Sequence, residues 1–536
     1  MTTVQPRTAN QPPPLEGYDL YGENRPLVEA VAREGADWAD EGLRSFGRML
    51  GGEPLELGRL ANENPPRLRT HDRFGERIDE VESHPAWHAL LGLGVEHGLH
   101  ASPWREPRRG AHVARAAAFI TLAEVEAGVG CPLSMTFAAV PALRAEPALF
   151  DDWAPLLTST VYDPGLRPAA DKAGALCGMA MTERQGGSDV RANETVARRA
   201  GDDEATLHGH KWFCSAPMCD AFLVLAQAPG GLTCYLLPRV LPDGGRNAFR
   251  IDRLKDKLGN RSNASAEIQL DGAWARRVGE EGRGVATIIE MVVHTRLDCV
   301  LGSTGLMRRA VAEATHHAAH RAAFGRPLAE QPLMENVLAD LCIDSEAATV
   351  LALRLARAYD ENDAAFRRLA TTVAKYWVCK ATPPLVAEAL ECIGGNGYVE
   401  ESVLPRLYRE SPLNSVWEGP ANVQALDVLR ALQRRPESAE AILREIELAA
   451  GLDRRLDASV AALRAALADA EEWGARRLVE KIALCLAGSL LVRHGAPPVA
   501  DAFCATRLGG DGGRSYGTLP RGVDASAIVE RHRPRV

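Results

Sequence analysis

Several patterns that mark common classes of protein are missing from this chain. Its eleven cysteines are scattered, and the closest two, Cys214 and Cys219, have four residues between them, so no CxxC spacing for a metal or a redox disulfide is present. Residues 1–15 contain neither a basic start nor an apolar stretch, which argues against a signal peptide. The longest nearly apolar run, residues 482–492, is too short to cross a bilayer. We therefore expect a cytoplasmic protein without a transmembrane helix, with its cysteines as buried free thiols.

Motifs of several enzyme classes are also missing. The chain has no GxSxG serine motif and no Walker motif. Its paired glycines, Gly186-Gly187, do not form GxGxxG and lack the strand–turn–helix surroundings of a Rossmann unit. His316 and His320 have the spacing of a metal pair on a helix, but neither an HExxH glutamate nor a third ligand accompanies them. The sequence accordingly predicts no Rossmann site and no metal site.

Acidic residues outnumber basic ones over the whole chain. The formal net charge is −9, which argues against a basic nucleic-acid-binding protein, although charge can be distributed unevenly. Residues 434–536 contain 16 Lys and Arg against 14 Asp and Glu, an excess of two positive charges. Four arginines in this segment either form a patch that contacts double-stranded DNA or are solvated helix charges paired with nearby carboxylates. They are Arg454, Arg455, Arg476 and Arg477.

Hydrophobic periodicity predicts a mainly α-helical chain with a β domain in its middle. Residues 26–171 are helical in character, with alanine-rich segments between loops that contain Pro and Gly. Short apolar runs then predict strands at 221–227, 233–237, 249–254 and 266–270, with Pro229-Gly230-Gly231 as a hairpin turn. A stripe at helical spacing next predicts a helix bundle: Leu333, Val337, Leu341, Ala348, Leu351 and Leu355. Pro383-Pro384 must start, end or kink a helix.

These changes of pattern predict four domains. An N-terminal helical domain takes residues 1–178, a β-barrel domain 179–285 and a helical bundle 286–434. Residues 435–536 form a further helical domain, because apolar residues again follow helical spacing at Leu456, Val460, Leu463 and Leu467, then at Leu478, Ile482 and Leu486. The stretch 433–438, which contains Pro436, is the predicted boundary before this last domain.

Four segments suit a cofactor site, and most of them also have a plainer structural interpretation. Gly186-Gly187-Ser188-Asp189 can bring backbone N–H groups against an anion or a ring, or can be a turn that caps a strand. Ile393-Gly394-Gly395-Asn396-Gly397 contains more glycine than a helix C-cap needs. Glu418, in Val416-Trp417-Glu418-Gly419-Pro420, is a lone carboxylate in apolar company or an ordinary first-turn glutamate. Arg321, Phe324 and Gln331 lie between the end of one long helix and the start of the next.

Taken together and in this order, the segments resemble the acyl-CoA dehydrogenase family of flavoproteins, whose fold is a helical domain, a β domain and a helical bundle. Residues 181–190 resemble the family's T-E-x-x-x-G-S-D flavin loop, and residues 209–215 resemble its G-x-K-x-W-I-T segment. Arg321, Phe324 and Gln331 match elements that in the family reach the FAD of a neighbouring subunit. Residues 391–395 match the pyrophosphate-contacting glycine loop, and Glu418-Gly419 matches the catalytic Glu-Gly pair.

The resemblance implies FAD as cofactor, Glu418 as catalytic base and a homotetramer with shared FAD sites. The residues it assigns to FAD are Met181, Thr182, Gln185, Gly187, Ser188, Phe213, Cys214, Ser215, Arg321, Phe324, Gln331, Glu391, Ile393, Gly394, Gly395, Trp417, Pro420, Ala421 and Asn422.

The resemblance extends to the AidB subgroup, the adaptive-response flavoproteins associated with resistance to DNA alkylation. The segments that carry it are His71-Asp72-Arg73-Phe74-Gly75, His84-Pro85-Ala86-Trp87-His88 and residues 254–265 and 404–409. It covers almost the whole chain and implies the additional C-terminal helical domain. It also implies a DNA-associated role in protection against alkylation damage.

In this family a glutamate removes the α-proton of an acyl thioester and a flavin accepts the β-hydride. Desolvation by Val416 and Trp417 would suit Glu418 to that role. Two positions depart from the family pattern: Arg184-Gln185 replaces Pro and a small residue, and Pro420 replaces a small hydroxyl residue. Bulk near the flavin is expected to narrow the acyl-CoA channel.

Three functions follow from these implications. One is a DNA-associated flavoprotein with residual, isovaleryl-like dehydrogenase activity. The second is an active catabolic dehydrogenase of a short or branched acyl-CoA without a DNA role. The third is a flavin-bearing scaffold whose chemistry has decayed.

Overall fold

The structure is a computed structural model and describes residues 10–536. Residues 1–15, in which no signal peptide is predicted, therefore lie mostly outside the described residues. The chain divides into two compact units. The helical unit consists of residues up to 53, 112–124 and 299–536, and the β unit of residues 54–111 and 125–298. This division is coarser than the four domains predicted from the sequence, which stay a prediction.

The strands alternate with turns in the order that the sequence predicts for the β domain. They are β1 (Arg67–His71), β2 (Arg77–Glu82), β3 (Cys177–Ala180), β4 (Val196–Arg199), β5 (Glu204–Ser215), β6 (Ala221–Ala228), β7 (Gly231–Pro238), β8 (Phe249–Leu254), β9 (Ser265–Val278), β10 (Ala322–Ala323) and β11 (Arg326–Pro327). All four predicted strands are present. Ala228 pairs with Gly231, so Pro229-Gly230 form the two-residue turn of the predicted hairpin.

A closed sheet forms the core of the β unit. Its strands follow the order β3-β6-β4-β5-β9-β7, β8 pairs with β9, and an additional pairing of β7 with β6 closes the ring. The β6 residues Phe222, Leu223 and Leu225 are fully buried. The predicted mainly helical fold with a central β-barrel is confirmed.

The prediction of an all-helical first segment is wrong at residues 67–82, where β1 and β2 form an antiparallel hairpin. Its turn is the His71–Gly75 signature: Asp72 Oδ1 accepts hydrogen bonds from the backbone N–H groups of Phe74 (2.8 Å) and Glu76 (2.9 Å). Only Leu68 in β1 and Ile78 and Val81 in β2 are apolar, so the apolar alternation that marks a strand is weak here.

The described chain contains helices of very different length. They are α1 (Arg25–Arg33), α2 (Asp40–Leu50), α3 (Glu53–Glu63), α4 (Pro85–Glu96), α5 (Ser102–Arg105), α6 (Ala111–Ala123), α7 (Gly130–Leu143), α8 (Pro147–Leu157), α9 (Gly284–His320), α10 (Pro332–Asp360), α11 (Ala364–Ile393), α12 (Leu404–Glu410), α13 (Leu413–Val416), α14 (Ala421–Arg434), α15 (Pro436–Glu447), α16 (Arg454–Ala468), α17 (Ala475–His494), α18 (Pro497–Phe503) and α19 (Ala525–His532). Single 3-10 turns occur at Asp37–Ala39, Ala169–Asp171, Val190–Ala192, Leu328–Glu330 and Gly394–Gly397, and Cys504–Leu508 is a π-helical turn.

Two long helices, α10 and α11, form the centre of the helical unit. The predicted stripe on α10 is buried from Leu341 onward, whereas Leu333 in its first turn is 85% exposed. Pro383-Pro384 lie inside α11, so they neither start nor end a helix, and the kink stays a prediction. The helices after residue 434 pack onto this pair: α15 and α17 contact α11, and α17 and α19 contact α10.

No helix among residues 10–536 is long and apolar enough to cross a membrane. All eleven cysteines are buried and free, as predicted.

Candidate active site

Glu418 has a left-handed backbone conformation, with φ of +58°, and Gly419 follows at +95°. This conformation costs an ordinary residue roughly 1–2 kcal/mol, so it persists only where the surroundings impose it. The turn lies between α13 and α14, and Glu418 precedes α14 instead of lying in its first turn. The plainer interpretation of this residue as a first-turn glutamate therefore does not describe it.

Two buried side chains hold the turn through its carbonyl oxygens. Lys375 on α11 is 1% exposed, and its Nζ donates to the carbonyls of Trp417 (2.8 Å) and Gly419 (2.6 Å). Gln424 on α14 is fully buried, and its Nε2 donates to the carbonyls of Glu418 and Gly419, both at 2.9 Å. Three consecutive carbonyls are thus fixed from two helices, which fixes the direction in which the Glu418 side chain leaves the backbone.

The Trp417 ring is fixed by a chain of side-chain hydrogen bonds. Its Nε1 donates to Asn414 Oδ1 (2.9 Å), Asn414 Nδ2 donates to Ser303 Oγ on α9 (3.1 Å), and Ser303 donates to Cys379 Sγ on α11 (3.4 Å). Val416, in contrast, is 61% exposed, so the apolar company predicted for Glu418 is only partly present. The helices that hold the turn therefore position the Glu418 carboxylate more than the side chains next to it in the sequence do.

The glycine segment after α11 has two glycines that the fold explains and one that it does not. Gly394 is the C-cap of α11, with φ of +71°, as the plainer interpretation requires. A Cβ added at Gly397 would lie 2.5 Å from the Leu390 carbonyl oxygen, so packing requires that glycine. A Cβ at Gly395 would meet nothing within 4 Å. The space beside Gly395 is therefore open to a partner outside the described chain.

The segment between α9 and α10 presents an apolar ring to solvent. Phe324 is 96% exposed and has φ of +53° in the turn between β10 and β11. Gln331, the N-cap of α10, donates to the Ala323 carbonyl (2.9 Å), and Arg321 donates to the Asn10 carbonyl (2.6 Å). Of the other residues assigned to FAD in this unit, Glu391 and Ile393 end α11, and Pro420, Ala421 and Asn422 begin α14.

In the β unit the predicted flavin loop, residues 181–190, is anchored by a carboxylate that the sequence analysis did not single out. Glu183 is fully buried and accepts from Lys211 Nζ (2.7 Å), Thr195 Oγ1 (2.6 Å) and the Glu194 backbone N–H (2.6 Å). Burial alone would raise the pKa of Glu183, but Lys211 and these hydrogen bonds lower it to about 2. Burial lowers the pKa of Lys211 in turn. The loop is thus tied to β5 by a buried ion pair.

The other loop residues are arranged around this pair. A Cβ at Gly187 would lie 2.4 Å from Thr182 Oγ1, which explains the glycine. Gln185 Nε2 donates to Glu183 Oε2 (2.8 Å) and to the Ala192 carbonyl (3.1 Å), so its side chain is held within the loop. Met181 and Thr182 are half-buried and Ser188 is exposed.

The end of β5 presents one of its three predicted cofactor residues inward. Phe213 is 48% exposed and Ser215 is half-buried, whereas Cys214 is fully buried and burial raises the pKa of its thiol to about 12. The predicted role of Cys214 in cofactor binding therefore cannot involve its side chain and is left to its backbone. The side chains of Phe213 and Ser215 remain accessible.

The four arginines after residue 434 are not equivalent. Arg455 is paired with Asp453 (2.5 Å) and Asp501 (2.8 Å), and Arg476 donates to the Tyr376 hydroxyl (3.3 Å). Arg454 and Arg477 are exposed. The paired-charge interpretation thus describes Arg455.

The histidine pair has structural partners. His316 Nε2 contacts the Pro13 carbonyl (2.9 Å) and His320 Nδ1 contacts the His316 carbonyl (2.9 Å). The described residues contain no group of three or more side chains that could hold a metal ion.

Comparison with known proteins matches three segments of the chain to family models. Family models for the acyl-CoA dehydrogenase C-terminal and middle domains match residues 282–433 and 178–273, and the model for the N-terminal domain of the adaptive response protein AidB matches residues 10–164. The acyl-CoA dehydrogenase-type protein AidB of Escherichia coli (strain K12) is 48% identical over 511 residues, which cover 94% of each chain. The chain belongs to the acyl-CoA dehydrogenase family, as an AidB-type member.

Other relatives agree with this family. The acyl-CoA dehydrogenase family member 11 of Caenorhabditis elegans is 32% identical over 497 residues, 84% of this chain and 79% of the relative. The crystal structure of C. elegans ACDH-11 in complex with C11-CoA superposes with a TM-score of 0.86 at 27% identity, and covers 95% of this chain and 94% of that one. Acyl-CoA dehydrogenase family members are oxidoreductases and flavoproteins, generally dependent on FAD.

Proposed function

We propose that this protein binds FAD and oxidises an acyl-CoA thioester, with Glu418 as the base. The observation that carries the proposal is the turn at Glu418, where Lys375 and Gln424 hold a strained backbone from two helices. A glutamate with no task beyond solvation needs no such support, whereas a base must be held in one position. The C11-CoA complex of the C. elegans relative supports the class of substrate.

The residues present fit a flavin cofactor. In the β unit, the exposed Phe213 ring and the half-buried Ser215 hydroxyl lie on either side of Cys214 on β5. The polar loop of residues 181–190 is held to this strand by the buried ion pair of Glu183 and Lys211. In the helical unit, the open space at Gly395 suits close approach of a pyrophosphate to the backbone. We assign FAD binding to these two sets, with the contact of Cys214 restricted to its backbone.

In the proposed reaction Glu418 takes the α-proton of the thioester and holds it on its carboxyl group. The flavin, when bound, supplies the acceptor for the β-hydride. Lys375 and Gln424 act as positioning residues, because their side chains donate hydrogen bonds to backbone carbonyls of the turn that carries the base. Trp417, fixed through Asn414, keeps the preceding peptide in place.

Anaerobic mixing of the FAD-loaded protein with a panel of short, branched and long-chain acyl-CoAs tests this function. Bleaching of the flavin is expected with at least one thioester, and Glu418→Gln should slow it by about 10²- to 10⁴-fold, the range of general-base catalysis. Glu401→Gln is the matched control, since Glu401 is an exposed glutamate of the same region. The proposal fails if no thioester bleaches the flavin, or if Glu418→Gln and Glu401→Gln behave alike. The thioester that bleaches the flavin fastest decides whether the preferred acyl group is short, branched or long.

As a second function we propose that the C-terminal helices contact double-stranded DNA, in protection against alkylation damage. Trp473, 95% exposed, lies two residues before α17, whose first turn contains Arg476 and Arg477. Arginines suit contact with the phosphates of a duplex, and an exposed aromatic ring beside them suits an interface. Deleting this block would uncover α10 and α11, so point variants are the better test. Arg477→Gln should weaken salt-dependent duplex binding, and Arg198→Gln in the β unit should not; equal effects would contradict the assignment.

We also propose a homotetramer with shared FAD sites. Phe324 and Leu333, at the segment that the family uses to reach a neighbouring subunit's cofactor, are 96% and 85% exposed. Large apolar side chains at such exposure suit an interface. Light scattering should report four chains for the full-length protein and fewer for Phe324→Asp. A monomeric wild-type protein with full FAD content would contradict the proposal.

A further inference from the structure

A cavity of about 610 Å³ lies in the β unit and is lined by none of the residues assigned above to FAD or thioester. Its walls come from β2, the start of β5, the segment after β7, and the strands β8 and β9. The volume is in the range of small-molecule sites. Neither the proposed chemistry nor the proposed DNA contact uses this cavity.

The wall is rich in arginine. Arg77, Arg239, Arg246 and Arg250 line it, against two carboxylates, Asp79 and Asp271. The guanidinium group is always charged and presents a planar set of donors that matches phosphate oxygens two at a time. Glu80 and Asp252 lie beside Arg246 and Arg250, so the attraction of this wall for an anion depends on Arg239 and on guanidinium donors that the carboxylates leave free.

Arg239 has no carboxylate partner among the described residues. It is 5% exposed, donates to the carbonyl oxygens of Asp79 (3.0 Å) and Phe249 (3.3 Å), and lies over the Phe249 ring at 4.2 Å. Its Nε is buried without a hydrogen-bond partner in the described chain. Burial lowers the pKa of Arg239 to about 10. An uncompensated buried cation is costly, and an anion in the adjoining cavity would offset that cost.

The other three arginines are held at the wall by single carboxylates. Arg77 Nε contacts Asp79 (2.8 Å), Arg246 contacts Glu80, and Arg250 Nε contacts Asp252 (3.2 Å). The Arg250 side chain is 54% exposed and bonds within the described residues through Nε alone, so its two terminal nitrogens can still donate. These contacts orient the guanidinium groups without using all of their donors.

We propose that this cavity binds a phosphorylated small molecule of nucleotide size, with its phosphate on the arginines. Asp271, whose side chain is fully exposed, can accept from hydroxyl groups of the same ligand. The site is independent of the FAD and thioester sites, so it remains even if the proposed dehydrogenase activity is wrong.

Isothermal titration of the full-length protein, saturated with FAD to occupy the flavin site, tests this proposal with AMP, inorganic phosphate and adenosine at constant ionic strength. AMP and phosphate should bind and adenosine should not. Binding of AMP more tightly than phosphate identifies a nucleotide as the ligand, and equal binding identifies the phosphate group alone. Arg250→Gln should weaken AMP binding about tenfold, which corresponds to the loss of one charge-assisted hydrogen bond.

Arg199→Gln is the matched control, because Arg199 is exposed on β4 of the same unit and also has an aspartate neighbour, Asp202. Arg239→Lys is a second variant that keeps the charge and loses the fork, and it too should weaken AMP binding. The proposal is overturned if adenosine binds as tightly as AMP, if neither phosphate-bearing probe binds, or if Arg250→Gln and Arg199→Gln give the same affinity.

Discussion

Replacing Lys375 by Met tests whether the position of the proposed base depends on this side chain. The variant keeps an unbranched side chain of similar length and removes the two hydrogen bonds to the Trp417 and Gly419 carbonyls. Hydrogen bonds to a charged donor contribute roughly 1.5–3 kcal/mol each, and left-handed backbone at Glu418 costs roughly 1–2 kcal/mol. The free energy lost with even one of these two hydrogen bonds is thus as large as the backbone strain at Glu418. The turn at Glu418 is expected to relax.

A shift of the carboxylate by about 1 Å can lower the rate by about 10²-fold. We therefore expect Lys375→Met to lower kcat for anaerobic flavin bleaching by about that factor, with KM and FAD content near wild type. Lys380→Met is the control, because Lys380 is exposed on the same helix. Urea unfolding, measured in parallel, separates positioning from folding. If Lys375→Met unfolds at lower urea but bleaches at the wild-type rate, Lys375 only stabilises the fold and the reasoning is refuted.

Three further predictions concern buried charge and glycine. Glu183→Gln should lower the free energy of unfolding by roughly 3–5 kcal/mol at neutral pH, as expected when one half of a buried ion pair is removed. Because folding lowers the pKa of Glu183 to about 2, the difference between variant and wild type in urea unfolding should shrink as the pH falls below 4 toward 2. A difference that stays constant over this pH range would contradict the prediction. His532 lies 3.2 Å from Glu346, and although burial alone would lower its pKa, Cys342 and Glu346 raise it to about 10. His532→Gln should therefore lower the free energy of unfolding most at a pH below the ordinary histidine pKa. The difference in stability between variant and wild type should decrease as the pH rises toward 10. Gly395→Ala should leave thermal stability unchanged, because its Cβ meets nothing within 4 Å, but should weaken FAD binding in a fluorescence titration. Gly397→Ala, whose Cβ clashes with the Leu390 carbonyl, should lower thermal stability instead. Equal FAD affinity of Gly395→Ala and wild type would contradict the assigned contact.

Features set by local pattern could be predicted from the sequence. The strands β6 and β7 follow from short apolar runs around a Pro-Gly turn, and α10 from its stripe of apolar residues. The order of the flavin and catalytic segments indicated the family, and with it the barrel between helical regions. The hairpin β1–β2 was not predicted because its strands contain few apolar residues.

Features set by tertiary contact could not be predicted. Lys375 on α11 reaches the Glu418 turn across more than forty residues of sequence, through the packing of α11 against α14, and no sequence spacing encodes that approach. Cys214 faces inward because the pairing of β5 with β9 shifts register between Lys211 and Cys214, which breaks the alternation of inward and outward residues. A bulge of this kind has no signature in the local sequence here.

The support of Glu418 from α11 and α14 also bears on how this family can diversify. Lys375 and Gln424 both donate to backbone carbonyl oxygens, which every amino acid has, so these hydrogen bonds do not depend on which side chains the turn contains. Pro420, which departs from the family pattern, is exposed and follows these three carbonyls, and within residues 10–536 its own carbonyl accepts from the backbone N–H of Gln424. Selection can therefore change the side chains of this turn while two helices keep the carboxylate of Glu418, the proposed base, in place.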